Sequence, residues 1–193
     1  MGKLPEVDLA KNPAIAASFE RVKASRGWVS NLMRSLAQAP DGLQAYQSLG
    51  HYGRYGTDLT EAQRELVICA TVRNVPYGWG HHAPLAIQCG LRPEQMEVLK
   101  RGEVPPGLSD ADQALCRYVF AFSSMSGVPQ EVTDEALRHF SPRQVTDFGL
   151  LSAFYLSAGA LIIGHDVQLE PPEVCQLELN WQRKWLDEQQ ARA

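Results

Sequence analysis

The sequence predicts an all-α protein, and three observations carry that reading. Apolar residues recur at helical spacing along nearly the whole chain, and no stretch alternates in the manner of a strand. Ser, Thr or Asn precede several apolar runs, Pro opens others, and Gly closes them. The 193 residues are 45% hydrophobic and 21% charged, which suits one soluble domain with a sizeable core. Lys plus Arg number 18 against 22 for Asp plus Glu, a net charge of -4, so nucleic acid is not an expected partner. The longest apolar run, 150–163, is interrupted by serines and glycines and falls short of the roughly 18 residues of a membrane span. The polar stretch 1–13 lacks the basic-then-apolar order of a signal peptide. The expectation is a cytoplasmic protein without a membrane partner.

Asn12 and Pro13 read as the cap and first residue of a helix that buries Ile15, Phe19 and Val22 and stops at Gly27. A short helix follows Ser30, and another runs from Asp41 towards Gly50 or Gly53. Thr60 and Gln63 form a capping box for a helix through Glu65 to Asn74, ended by Pro76. The next helix carries His82 to Cys89 and stops at Gly90. Pro84 would forfeit a hydrogen bond deep inside it, so the helix is expected to start around Gly80 to His82 or to kink there. A short helix spans 93–101. Ser109 caps a longer one through Leu115, Tyr118, Val119 and Phe122, and 133–140 is short and amphipathic.

Ser141 and Pro142 open the longest apolar helix, 143–163. Small residues at Gly149, Ser152, Ala153, Ser157 and Gly159 allow close approach, which predicts a central position. Beyond Pro171 and Pro172 lies an amphipathic tail with Trp181 and Trp185, either folded back on its own domain or contacting another subunit. The expected organisation is an N-terminal helical extension (1–30), a helical domain (31–170) and the tail (171–193).

Four cysteines, Cys69, Cys89, Cys116 and Cys175, lie far apart in sequence, giving neither a CxxC redox pair nor zinc-ribbon spacing. Their apolar neighbours make them buried structural thiols. Glu65 sits one turn before Cys69 on a mostly apolar helix. A carboxylate there either pairs with a base, has its pKa raised by burial, or stays partly exposed in the first turn. The stretch Tyr77-Gly78-Trp79-Gly80-His81-His82-Ala83-Pro84 holds two of the five histidines. On a helix, His82 shares a face with Leu85, Ala86 and Cys89 and points inward, whereas His81 shares one with Leu85 and Gln88 and belongs at the rim. A helix starting near Gly80 would leave backbone N–H groups beside His81 free to hold a carboxylate. Arg54, between Tyr52 and Tyr55, is a second candidate for binding an anion, and a helix C-terminus fraying into a loop explains that stretch equally well.

No HExxH, phosphate-binding loop, GxGxxG or GxSxG occurs. Adjacent histidines diverge by about 100° on a helix, so no metal is expected. No cofactor is expected either.

Arg64-Glu65-Leu66, the aromatic–histidine stretch, and Gly90-Leu91 before a short helix resemble the carboxymuconolactone decarboxylase family, which is also the superfamily of alkyl hydroperoxidase D. The resemblance covers roughly 31–170. It implies an all-α, alkyl hydroperoxidase D-like domain, a homo-oligomer (dimer, trimer or hexamer), and a site between the Glu-bearing and His-bearing helices. In the family's redox branch the second helix begins with CxxC. Here Tyr77, Gly78 and Gly80 occupy that region, so thiol peroxidase chemistry is disfavoured. Tyr77, Trp79, His81, His82 and Pro84 are similar to a branch with an aromatic–Glu–Trp stretch followed by His-His and Pro, with Gly78 in the place of the Glu.

The resemblance implies a cofactor-free lyase of the carboxymuconolactone decarboxylase type, in aromatic acid catabolism, acting on a small cyclic or unsaturated carboxylic acid. His82 would transfer the proton with Glu65 as its partner. Tyr77, Trp79, His81 and Arg54 would bind the substrate. The competing class is a small-molecule-binding or scaffold oligomer of the same fold without turnover.

Overall fold

The structure is a computed structural model in which residues 2–191 are described. Among them 72% are helical and there is no strand. The elements are α1 (Pro13–Arg26), α2 (Asn31–Leu36), α3 (Pro40–His51), a π-helical turn (Tyr52–Gly56), α4 (Glu61–Val72), α5 (Pro76–Gln88), α6 (Pro93–Lys100), α7 (Asp110–Ser123), α8 (Gln130–His139), α9 (Pro142–His165) and α10 (Pro172–Gln190). The chain forms two compact units: one is built from the residues up to Gln47 with those from Leu161 onward, the other from Ser48–Ala160.

In the first unit, α1 presents Ile15 and Phe19 to Val29, Ala37 and Leu43, with Val22, Met33 and Leu36 packed around them. Gly27 ends α1 in the left-handed conformation (φ 90°), where a side chain would be strained. Ser30 caps α2 by accepting from the Met33 N–H. The C-terminal tail folds back on this unit. Trp181 and Trp185 stack with their planes 8° apart, and the Arg26 guanidinium lies 5.4 Å over the Trp181 ring.

In the second unit the central helix is α4. Leu66, Val67, Ile68, Cys69 and Ala70 are all at most 1% exposed, and α4 packs against α5, α6 and α7. Its start is fixed by the expected capping box, in which Thr60 and Gln63 each accept the other's backbone N–H at 3.2 Å.

The long apolar helix expected at 143–163 is α9, and it is covered on one face: Phe148, Leu151 and Ser152 are buried, while Thr146, Leu150, Ala153, Ser157 and Ala160 face outward. A helix apolar all round does not reveal which face is covered. Its serines and glycines do not interrupt it either, because Ser157 donates back to the Phe154 carbonyl at 2.6 Å and Gly159 meets Val75. At 24 residues and a mean hydropathy of 1.5, α9 is long and apolar enough to cross a membrane by length and composition, although its inner face is packed into the unit.

One expectation needs correction. α5 begins at Pro76, in the first helical position, rather than around Gly80 to His82, and runs on through Pro84 to Gln88. An internal proline removes one hydrogen bond and costs about 3 kcal/mol. The buried contact with α4 outweighs that cost. Gly78 is what lets the two helices approach, since a Cβ there would lie 2.9 Å from both Cβ and Cγ2 of Val72. A β-branched side chain cannot swing away from such a clash, so this packing has no room for a glutamate at 78.

Two glycine substitutions should therefore have opposite signs. In Gly78→Ala, overpacking of about 1–3 kcal/mol should exceed the gain in helix propensity and lower the thermal midpoint. In Gly42→Ala, the new methyl meets only Ala39 at 3.5 Å, an ordinary contact, and the midpoint should rise. A Gly78→Ala protein as stable as the parent would contradict this account of the α4–α5 contact.

Candidate functional site

On α4, positions 61 and 65 are one helical turn apart on the same face. Glu65 has no exposed side-chain surface, while Glu61 is 12% exposed. Two other elements converge on the Glu65 carboxylate. From α5, His82 brings Nδ1 to 2.8 Å from Oε2. From the π-helical turn, Arg54 brings Nη1 to 2.6 Å from Oε1. Both oxygens are thereby engaged, one by each partner.

Glu61 completes the cluster. Its Oε1 lies 3.6 Å from Arg54 Nη2, and its Oε2 pairs with Arg64 Nη1. Arg64 also donates from Nε to the Gly53 carbonyl and from Nη2 to the Leu59 carbonyl, each at 3.1 Å. The Tyr155 ring, from α9, meets the His82 ring edge-on with centroids 5.0 Å apart.

Burial alone would push the Glu65 carboxyl up, but the charges and hydrogen bonds of His82 and Arg54 more than offset it and hold the group below the usual carboxylate value. Glu65 is thus an anion that only accepts. Nδ1 of His82 then carries the proton of their hydrogen bond, and in the neutral ring Nε2 holds the lone pair.

The thiols nearby are inert. Burial, with Glu65 and Glu61 adding to it, pushes the Cys89 thiol up to about 12. Burial and Glu65 likewise push Cys69 well up. A thiolate is the reactive form, so neither is poised as a nucleophile.

No family model and no curated protein matches the sequence. Solved structures do match. An uncharacterized peroxidase-related protein from Ralstonia eutropha JMP134, described as an alkylhydroperoxidase AhpD core, superposes with a TM-score of 0.78 at 17% identity, over 90% of this chain and 94% of that one. A peroxidase-related protein from Silicibacter sp. TM1040 gives 0.75 at 16% identity, over 88% and 92%. The debrominase Bmp8 in complex with 2,3,4-tribromopyrrole gives 0.73 at 14% identity, over 93% and 98%.

The chain has the AhpD-like fold. Within that fold the expected pair, Glu65 and His82, meets directly across α4 and α5. Arg54 also reaches the site, but not as an open anion-binding group: its guanidinium is engaged by Glu65 and Glu61. The reason is the local backbone, since a π-helical turn rather than a frayed helix end carries Arg54 inward.

His81 departs from its expected rim position. It is 6% exposed, and its ring lies 4.7 Å from that of Tyr77, one turn earlier. Trp79 lies under the Lys100 ammonium of α6, 5.3 Å from its ring centroid. The free N–H groups expected beside His81 are absent, because α5 starts at Pro76 and residue 81 is inside the helix. Among the described residues, no group of three His, Cys, Asp or Glu is placed to hold a metal. Glu61 was detectable in the sequence by its i,i+4 relation to Glu65, whereas Tyr155, 73 positions beyond His82, gave no signal.

Glu65 also sets an acid limit on stability. A carboxyl lowered in the folded state adds stability above its unfolded value and loses it as pH falls through the folded value. Glu65→Gln breaks a buried pair, worth about 3–5 kcal/mol, with the retained Glu61 contact favouring the lower end. Urea midpoints measured from pH 7 downward should fall less steeply below about pH 4 in Glu65→Gln than in the parent. Parallel profiles would remove the assigned role of this carboxylate.

Proposed function

We propose that the chain is a cofactor-free lyase acting on a small cyclic or unsaturated carboxylic acid, with His82 as the proton-transfer residue. The buried Arg54–Glu65–His82 relay carries this reading. Glu65 is held as an anion by two donors, so it orients His82 and balances an imidazolium rather than giving up a proton itself. Proton traffic with a ligand then falls to His82 Nε2. The simplest reaction suited to one imidazole is decarboxylation next to a conjugated system. The C–COO⁻ bond breaks, CO2 departs, and the electron pair enters the π system. The imidazolium of His82 then delivers a proton to carbon and is recharged from water.

A small ring is the ligand scale supported by a fold neighbour, the debrominase Bmp8, which has been solved with 2,3,4-tribromopyrrole. Tyr77, His81 and Trp79 are proposed as polar and aromatic groups bordering the ligand. The working location is the cytoplasm, with neither membrane nor nucleic-acid partner.

A panel of cyclic and unsaturated carboxylic acids, assayed for CO2 release, supplies the substrate for the decisive variants. His82→Gln should keep the circular-dichroism melt and lose about 10²- to 10⁴-fold in turnover, the usual range for acid–base catalysis. Cysteine-to-serine variants at Cys69 and Cys89 should retain activity, because neither thiol ionises. Full activity in His82→Gln together with Glu65→Gln would refute the site.

A homo-oligomer is proposed on the strength of α9, whose outward residues beyond the exposed Arg143, namely Thr146, Leu150, Ala153, Ser157 and Ala160, include no charge. Ala153→Arg should leave helicity intact and reduce the mass measured by light scattering. A parent protein that is already monomeric would end this proposal.

A further inference from the structure

Arg54 reaches Glu65 from a piece of backbone that its own sequence does not stabilise. α3 runs directly into the π-helical turn Tyr52–Gly56, a wide and rare geometry. Two of its five residues are glycines, Gly53 and Gly56, which favour no helical state. The hold on the turn comes from elsewhere in the second unit.

Asp147 of α9 is 1% exposed and uses both oxygens on this segment. Oδ1 accepts the Tyr52 hydroxyl at 2.6 Å, and Oδ2 accepts the Asp58 backbone N–H at 3.1 Å. One carboxylate therefore pins the residue that opens the turn and a residue just beyond its end. Gln144, one turn earlier on α9, adds a bond to the Asp58 carbonyl at 3.0 Å. Arg64 holds the Gly53 carbonyl from the α4 side. Arg54 lies between these pins.

We propose that the Tyr52–Asp147 hydrogen bond is a latch that sets Arg54 against Glu65, making Tyr52 and Asp147 positioning residues for the His82 site. The inference rests on the relay described under the proposed function. Charge-assisted hydrogen bonds of this length are among the stronger ones. The bond to Asp147 also pushes the Tyr52 phenol up, so the hydroxyl remains a donor across the neutral range. An arginine side chain has many rotamers to give up, and a fixed backbone origin reduces how much Arg54 must lose to reach the buried carboxylate. With the latch released, Arg54 can turn towards water, and Glu65 keeps His82 as its donor.

The test reads Glu65 itself. The 13C carboxyl resonance of Glu65 is titrated by NMR in the full-length parent, Tyr52→Phe, Asp147→Asn and Arg54→Gln, with circular dichroism confirming the fold of each. Arg54→Gln should move the Glu65 titration upward, since it removes a positive neighbour. Tyr52→Phe, which deletes only the hydroxyl and keeps the ring, should move it in the same direction by a smaller amount. Asp147→Asn should do likewise, and if it fails to fold, Tyr52→Phe decides alone.

A purely structural role for Tyr52 would lower the melting temperature and leave the Glu65 titration on the parent curve. That result, with Arg54→Gln shifted, overturns the latch and leaves the relay standing. An unshifted Arg54→Gln overturns the relay and the latch with it.

Discussion

A carboxylate removed from water needs donors on both oxygens, and Glu65 is the group on which this site is organised. Its side chain has no exposed surface, and losing one partner of such a buried pair costs about 3–5 kcal/mol. Three consecutive elements meet that demand. α4 supplies the acid, α5 the imidazole and the π-helical turn the guanidinium. Glu61 and Arg64 extend the alternation of charge, so that the cation brought in for Glu65 is itself matched. The cluster fixes protonation as well as position, since an anionic Glu65 dictates which nitrogen of His82 holds the proton.

Close packing of α4 and α5 makes this meeting feasible and narrows the chemistry. Gly78 lets the helices approach at Val72, and the same contact leaves no volume for an acidic side chain there. Burial, with the Glu65 carboxylate adding to it, pushes both nearby thiols up and keeps them protonated.

Much of the fold was legible because it rests on local rules. The Thr60–Gln63 capping box, the Ser30 and Ser109 caps and the left-handed glycines at 27 and 90 appear where side-chain chemistry places them. The errors occurred where a neighbour outweighed local preference. Pro84 argued for a start of α5 around Gly80 to His82 or a kink, yet α5 begins at Pro76 and continues through Pro84, packed against α4. The apolar circumference of α9 did not tell which side is covered, and one side faces outward, because hydrophobicity on all faces does not say which of them a neighbour covers.

The candidate site divides along the same line. Residue type and helical spacing marked Glu65 and His82 as candidates for inward faces, because the period of 3.6 residues gives each a side of its helix, but left the burial of Glu65 open and put His81 at the rim. They also determined that no CxxC pair or metal motif is present. Only the tertiary structure decided that these two side chains touch, that Arg54 serves Glu65 instead of standing open, and that His81 turns to Tyr77. The physical reason is that helical periodicity encodes orientation about one axis. The distances between axes depend on packing, set here by glycines against β-branched neighbours and by a π-helical turn that its own residues do not specify.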